Sequence, residues 1–423
     1  MPLRAPLRAF VVLLGVAVLA STGFLLVITV TPVLSARYLP GSVWIGVPSA
    51  LITLGMALGT PLISRMIPRL GRPAAFGLGL GVAAAAALVP AFAAWRGAPF
   101  LVYVGGAVLL GAGYAAYHLI RFAAALLFPP RRQGRAIGFV VWMAAVSSFA
   151  GPVLLGGIGR LAGSSGNASI PLAYLAAALL FGACAVILFR SRSLRRVRAL
   201  RARPRPAFRP PRPALPPPGP ATASGPSAPG LAAAVVAMVG AQAAMMLMMT
   251  MTPVVVMGRG GSLDALAVIM GGHVFGMFGL APVVGWLCDR LGPAIVVLGG
   301  GAAVVTAGLL GALTPGVGVS LGVALALLGL GWSLAFVAAS TVLARGGDPA
   351  GKLVRQRRAD SLNWAVAASG SAASGVLMAA VGYSGVAWTA AAVGLLPLGA
   401  GTLLWSARIR PAGLAGLRGS ATR

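Results

Sequence analysis

Acidic side chains are almost missing from this chain. Its 423 residues include four, all aspartate (Asp264, Asp289, Asp348 and Asp360), against 33 Lys and Arg, of which Lys352 is the only lysine. Paired carboxylates, a Ser/His/Asp set and a carboxylate-rich metal cluster are therefore lacking, and no enzymatic activity or resident cofactor is expected. All four acids fall in loops or at the ends of apolar runs, so the sequence predicts no carboxylate in the interior of those runs. Cysteine is equally scarce: Cys184 and Cys288, each within or at the end of an apolar run, do not suggest a disulfide framework. Two histidines, His118 and His273, are the only groups inside apolar runs that titrate near neutrality.

Apolar residues fill the space that charge leaves. Hydrophobic types make up 59% of the chain and charged types 9%, with a mean hydropathy of +0.95, values outside the range of soluble domains. A net charge of +29 would ordinarily suggest nucleic acid as a partner. The basic residues instead punctuate apolar stretches of about twenty residues, each long enough to cross roughly 30 Å of hydrocarbon. The lipid bilayer is the expected partner and nucleic acid is not. The first apolar run, behind Arg4 and Arg8, continues to about Val30. It is too long for a cleaved signal and reads as the first membrane helix.

Twelve such runs lie near residues 7–30, 43–63, 74–95, 99–127, 136–158 and 170–189, then 231–257, 264–288, 293–313, 317–344, 361–381 and 385–406. The fold class is thus all-α membrane protein, because open strands cannot satisfy their backbone groups in lipid. Three regions result: a six-helix half over 1–190, a linker over 191–229 and a second six-helix half over 230–423. Placing both termini in the cytoplasm assigns 28 of the 33 basic residues to cytoplasmic segments and four (Arg37, Arg96, Arg160, Arg259) to the outside, leaving Arg121 within a span. That asymmetry predicts the orientation in a plasma (inner) membrane. The linker, with nine Arg and eleven Pro, can neither span a membrane nor form a packed core and is expected to be a cytoplasmic spacer.

The two halves repeat at an offset of 221 residues: Thr29-Val30-Thr31-Pro32-Val33 aligns with Thr250-Met251-Thr252-Pro253-Val254, and Arg69-Leu70-Gly71 with Arg290-Leu291-Gly292. Two repeated six-helix units are the organisation of the major facilitator superfamily. Gly285-Trp286-Leu287-Cys288-Asp289-Arg290-Leu291-Gly292 resembles that superfamily's loop motif G-x-L-x-D-R-x-G, which assigns Gly285, Asp289, Arg290 and Gly292 to conformational switching. The first-half copy departs from it, with Ser64 and Pro68 in place of the first Gly and the Asp. Gly151-Pro152 and Gly156-Gly157 are similar to the fifth-helix motif of family antiporters, one residue too long between the pairs. The resemblance implies a monomeric transporter working by alternating access on a small solute or metal ion.

Substrate candidates come from methionine. Nine of the fourteen methionines lie between Met238 and Met277. Met238, Gln242, Met245 and Met249 make one stripe at helical spacing, and Met270, His273 and Met277 make another. Thioether sulfur with neutral imidazole is a ligand set for Cu(I), while a methionine stripe also serves as plain packing. Met245, Met249 and His273 align through the repeat with Phe24, Ile28 and Ile52, so these candidate ligands belong to one half only. The pairs M-x-x-x-M (Met245, Met249) and H-x-x-x-M (His273, Met277) resemble the CcoA-like copper importers of the superfamily, which implies Cu(I) as cargo and these four residues as its ligands. His118 and Arg121, one turn apart beside Tyr114 and Tyr117, suggest an anion or proton site, or an Arg121 that snorkels to the membrane surface. An importer of Cu(I) fits an acid-free interior, since the membrane potential alone drives a cation inward. Alternatives are an efflux permease for small molecules or drugs and a non-transporting copper-binding assembly factor.

Overall fold

The computed structural model describes residues 4–39, 47–162, 168–191, 194, 227–259, 263–313, 316, 318–345 and 348–409. Most of the expected linker, 191–229, lies outside the described residues. The first half contributes α1 (Arg4–Tyr38), α2 (Val47–Leu70), α3 (Arg72–Arg96), α4 (Phe100–Ala125), α5 (Gln133–Ala162) and α6 (Ser169–Arg190). The second begins with α7 (Ala228–Gly258). Helix α8 is made of Leu263–Val274, a π-helical turn Phe275–Gly279, and Ala281–Arg290; α9 (Pro293–Leu313) and α10 (Val319–Ala344) follow. A continuous helical stretch, Pro349–Ile409, then bends at Gly382, where φ is 66°, and serves as two helices, α11 before the bend and α12 after it. Eleven stretches among the described residues are long and apolar enough to cross a membrane, the last being this double one. Twelve spans result, as the apolar runs predict.

The sequence repeat reappears as bonds. Thr31 on α1 hydrogen-bonds the Tyr174 hydroxyl on α6 at 2.8 Å, and Thr252 on α7 meets Tyr383 on α12 at 3.2 Å. Each threonine thus fastens the first helix of its half to the sixth. Gly71 and Gly292, also equivalent, have φ of 84° and 92°, a left-handed geometry that costs other residues about 1–2 kcal/mol. Each ends a helix and lets the next begin at once with Arg72-Pro73 or Pro293.

Small residues set the packing, as expected where lipid removes the hydrophobic drive between helices. A Cβ on Gly134 of α5 would lie 2.6 Å from the Gly285 carbonyl oxygen of α8, and Gly138 abuts Ala281 in the same way. Helix α5 therefore packs directly on the Ala281–Arg290 segment. Toward its other end the same helix diverges. Gly156, Gly157 and Gly159 on α5, Gly271 on α8 and Gly375 on α11 would meet nothing within 4 Å of an added Cβ. The bundle is closed at the end where α1 starts and open at the opposite end, where α5 does not pack on the Leu263–Val274 segment of α8 as it does on Ala281–Arg290.

Candidate functional site

Between the halves, near the closed end, Arg121 of α4 pairs with Asp360 of α11. The guanidinium also donates from Nε to Ser340 Oγ of α10 at 3.1 Å and from Nη1 to the His118 carbonyl oxygen one turn back. Its flat faces lie over two aromatic rings, with the guanidinium carbon 4.3 Å from the Phe122 centroid and 4.5 Å from that of Phe336. Arg121 is 3% exposed and Asp360 1%. Such a pair persists only because each charge is the other's compensation.

This corrects the expectation that all four acids sit in loops or at helix ends. Helix α11 begins at Pro349, well before the apolar run at 361, and its amphipathic first turns carry Asp360 into the packed interior. Arg121 does not snorkel outward. The premise of an acid-free interior, used to favour a potential-driven cation, falls with this observation. Asp348 does sit at a helix start: it accepts the Gly351 N–H at 2.7 Å, a contact that holds its carboxyl below the usual range.

Aromatic rings continue from the ion pair toward the open end. His118 packs against Trp364 of α11 with ring centroids 4.2 Å apart. Tyr117 stacks on Tyr114 at 5.1 Å, and Tyr114 on Phe24 of α1 at 4.1 Å. From the second half, Trp332 stacks on Phe336 at 4.6 Å and gives its indole N–H to Gln242 Oε1 at 2.8 Å. The same Gln242 oxygen accepts Asn363 Nδ2 at 3.3 Å. Gln242, expected near the methionines, is thereby a clamp joining α7, α10 and α11.

The methionine stripes are distributed differently. Met238, Met245 and Met277 belong to one buried apolar cluster. Met249 and Met270 are half-buried outside it. His273 is fully buried, with Nδ1 2.8 Å from the Leu325 carbonyl of α10. A carbonyl can only accept, so Nδ1 carries a proton and donates it to this bond, and Nε2 is left without a protein partner. Met277 lies in the π-helical turn, where Gly329 of α10 presses against the His273 carbonyl and the Met277 amide.

All four residues of the loop motif have a structural part. Asp289 accepts the backbone N–H groups of Gly134 and Arg135 at the start of α5, each at 2.9 Å, and pairs with Arg345 at 3.2 Å. A carboxylate at a helix N-terminus is favoured by the backbone dipoles there. Because Asp289 comes from the other half, this contact latches the closed end. Gly285 allows the close approach, Arg290 lies over the Trp286 ring at 5.2 Å, and Gly292 supplies the left-handed turn. Sequence reasoning missed Asp360, Trp332, Phe336 and Trp364 as site residues; Arg121 was the signal that a buried partner charge was required.

Two six-helix halves that close on each other at one end around a buried ion pair define a membrane transport protein. The Major Facilitator Superfamily profile matches residues 8–354, and the chain belongs to that family. It is 28% identical over 363 residues to the uncharacterized MFS-type transporter YdeG of Bacillus subtilis, covering 84% of this chain and 82% of that one. It is also 28% identical over 342 residues to the riboflavin transporter RfnT of Brucella anthropi, 81% of each chain. Among solved structures, the E. coli fucose:proton symporter FucP superposes with a TM-score of 0.69 at 13% identity, covering 95% of this chain and 99% of that one. A double-Trp XylE variant gives 0.71 at 11% identity over 95% of each.

Proposed function

We propose that this transporter carries a planar aromatic organic solute, held between the halves on the ring faces beside the Arg121–Asp360 pair. The observation that carries the reading is the run of rings from both halves, Phe24, Tyr114, Tyr117 and Trp364, ending at that pair. Aromatic pairs are worth about 0.5–1.5 kcal/mol beyond their buried area, so a flat solute inserted among them trades ring contacts for ring contacts at little loss. The likeness to a riboflavin transporter supports the same choice.

The distribution of Arg favours cytoplasmic termini and linker in a plasma membrane. In that orientation the closed end faces the cytoplasm and the solute enters from outside; reversed net flow over the same cycle gives the efflux permease. The protein is expected to work as a monomer. Titration of the purified protein into riboflavin tests the reading: fluorescence quenching should saturate, and Trp364→Ala with Tyr114→Ala should weaken binding at least tenfold. Saturable quenching unchanged by both substitutions would place the solute elsewhere.

A second reading is supported by His273. A ligating histidine commonly fixes its other nitrogen on a carbonyl or carboxylate, and here Nδ1 is held by Leu325 while Nε2 is open. With sulfur from Met245, Met249 and Met277 this set suits imported Cu(I). Copper uptake that depends on His273 would favour it over the organic solute. A copper-binding assembly factor would retain the metal in the same ligands without moving it.

A further inference from the structure

Three buried polar atoms around the ion pair have no partner in the protein: Asp360 Oδ2, Asn363 Oδ1 and His118 Nε2. Buried polar groups are nearly always satisfied, so three on adjoining turns of two facing helices call for an explanation. Asp360 uses Oδ1 for Arg121, and Asn363 uses Nδ2 for Gln242. The atoms that these two residues leave over are therefore both acceptors. Asp360 and Asn363 are three residues apart on one helix, a spacing that puts their side chains about 5–6 Å from one another. Trp364, next along, presents a half-buried ring against His118.

Charge narrows the ligand further. The positive charge of Arg121 is already matched by Asp360 and covered on its faces by Phe122 and Phe336. An incoming carboxylate would meet two oxygen acceptors, one of them anionic, and no free cation of this cluster. A ring with N–H groups along one edge would meet complementary atoms.

Resting on the aromatic-solute reading, we infer that the substrate is an uncharged or cationic planar heterocycle with an N–H-bearing edge, and that Asp360 Oδ2 and Asn363 Oδ1 read that edge. Aromatic carboxylates are excluded. Specificity then belongs to α11, with the rings supplying affinity that any flat molecule can use. His118 Nε2 contributes a third hydrogen bond in whichever tautomer the ligand selects.

The test compares three probes on the purified wild-type protein in detergent: riboflavin, riboflavin methylated at ring nitrogen N3, and 2-naphthoate. Methylation removes the N–H while leaving the flat ring, so the comparison needs no variant to fold. Riboflavin should bind at least tenfold more tightly than its methylated form, and 2-naphthoate should not compete. In Asn363→Leu the two flavins should differ by no more than threefold. Equal binding of both flavins to the wild type overturns the edge-recognition inference while leaving the aromatic-solute reading standing. Absence of binding by either flavin overturns both.

Discussion

Arg121 on α4 and Asp360 on α11 form an ion pair across the two halves of the chain, each almost wholly excluded from solvent. The contact couples the halves where they meet, beside the latch that Asp289 makes with the start of α5. Opening the closed end requires breaking the latch and exposing the pair.

Removing one member of the pair should cost more than removing both. Arg121→Met or Asp360→Leu alone strands a buried charge, a penalty of about 3–5 kcal/mol, whereas the double variant replaces the pair with apolar contact. Thermal unfolding in detergent should therefore rank the double variant above either single one. A double variant no more stable than the worse single variant would contradict this assignment.

Gly134→Val should prevent closure, because its Cβ would meet the Gly285 carbonyl oxygen at 2.6 Å and the Asp289 carboxylate at 2.8 Å. Spin labels near the α5 start and the α8 end should report a distance distribution shifted outward by several ångströms and loss of transport. An unchanged distribution would show that the latch tolerates a side chain.

Thr31→Val and Thr252→Val each delete a buried hydroxyl and leave a tyrosine hydroxyl short of one partner. Each should lower stability by about 1 kcal/mol, and the two should add because they lie in different halves. Tyr174 keeps a side-chain hydrogen bond to Tyr103, and Tyr103 still holds the Thr31 carbonyl at 3.0 Å. Denaturation of the double variant checks the sum.

His273 separates the two cargo readings. If Cu(I) is carried, His273→Ala and Met245→Leu should both abolish copper accumulation, since leucine preserves volume and removes the sulfur. If an organic solute is carried, Met245→Leu should leave riboflavin binding within about twofold, a near-isosteric core change. Copper content and riboflavin binding measured on the same two variants give opposite patterns.

Much of the scaffold was legible. Twelve apolar runs and the 221-residue repeat gave the helices, and the repeat paired Gly71 with Gly292, which share a positive φ in the structure. The loop motif located Asp289, although not its partner, the amide groups of α5. The centre was less legible. Arg355, Arg357 and Arg358 made the start of α11 look like a loop, so Asp360 fell outside the apolar window even though it is buried. Its contact with Arg121 spans 239 positions in sequence and depends on how the halves face each other. Methionine spacing showed which side chains share a helix face, while the Leu325 carbonyl that fixes His273 comes from another helix.

Riboflavin counterflow in proteoliposomes tests the central claim most directly. With unlabelled riboflavin inside, wild-type protein should accumulate labelled riboflavin transiently, and Trp364→Ala and Asp360→Asn should each reduce that accumulation at least tenfold. Counterflow that is absent in the wild type, or equal in all three proteins, would contradict a solute site built on the rings beside Arg121 and Asp360.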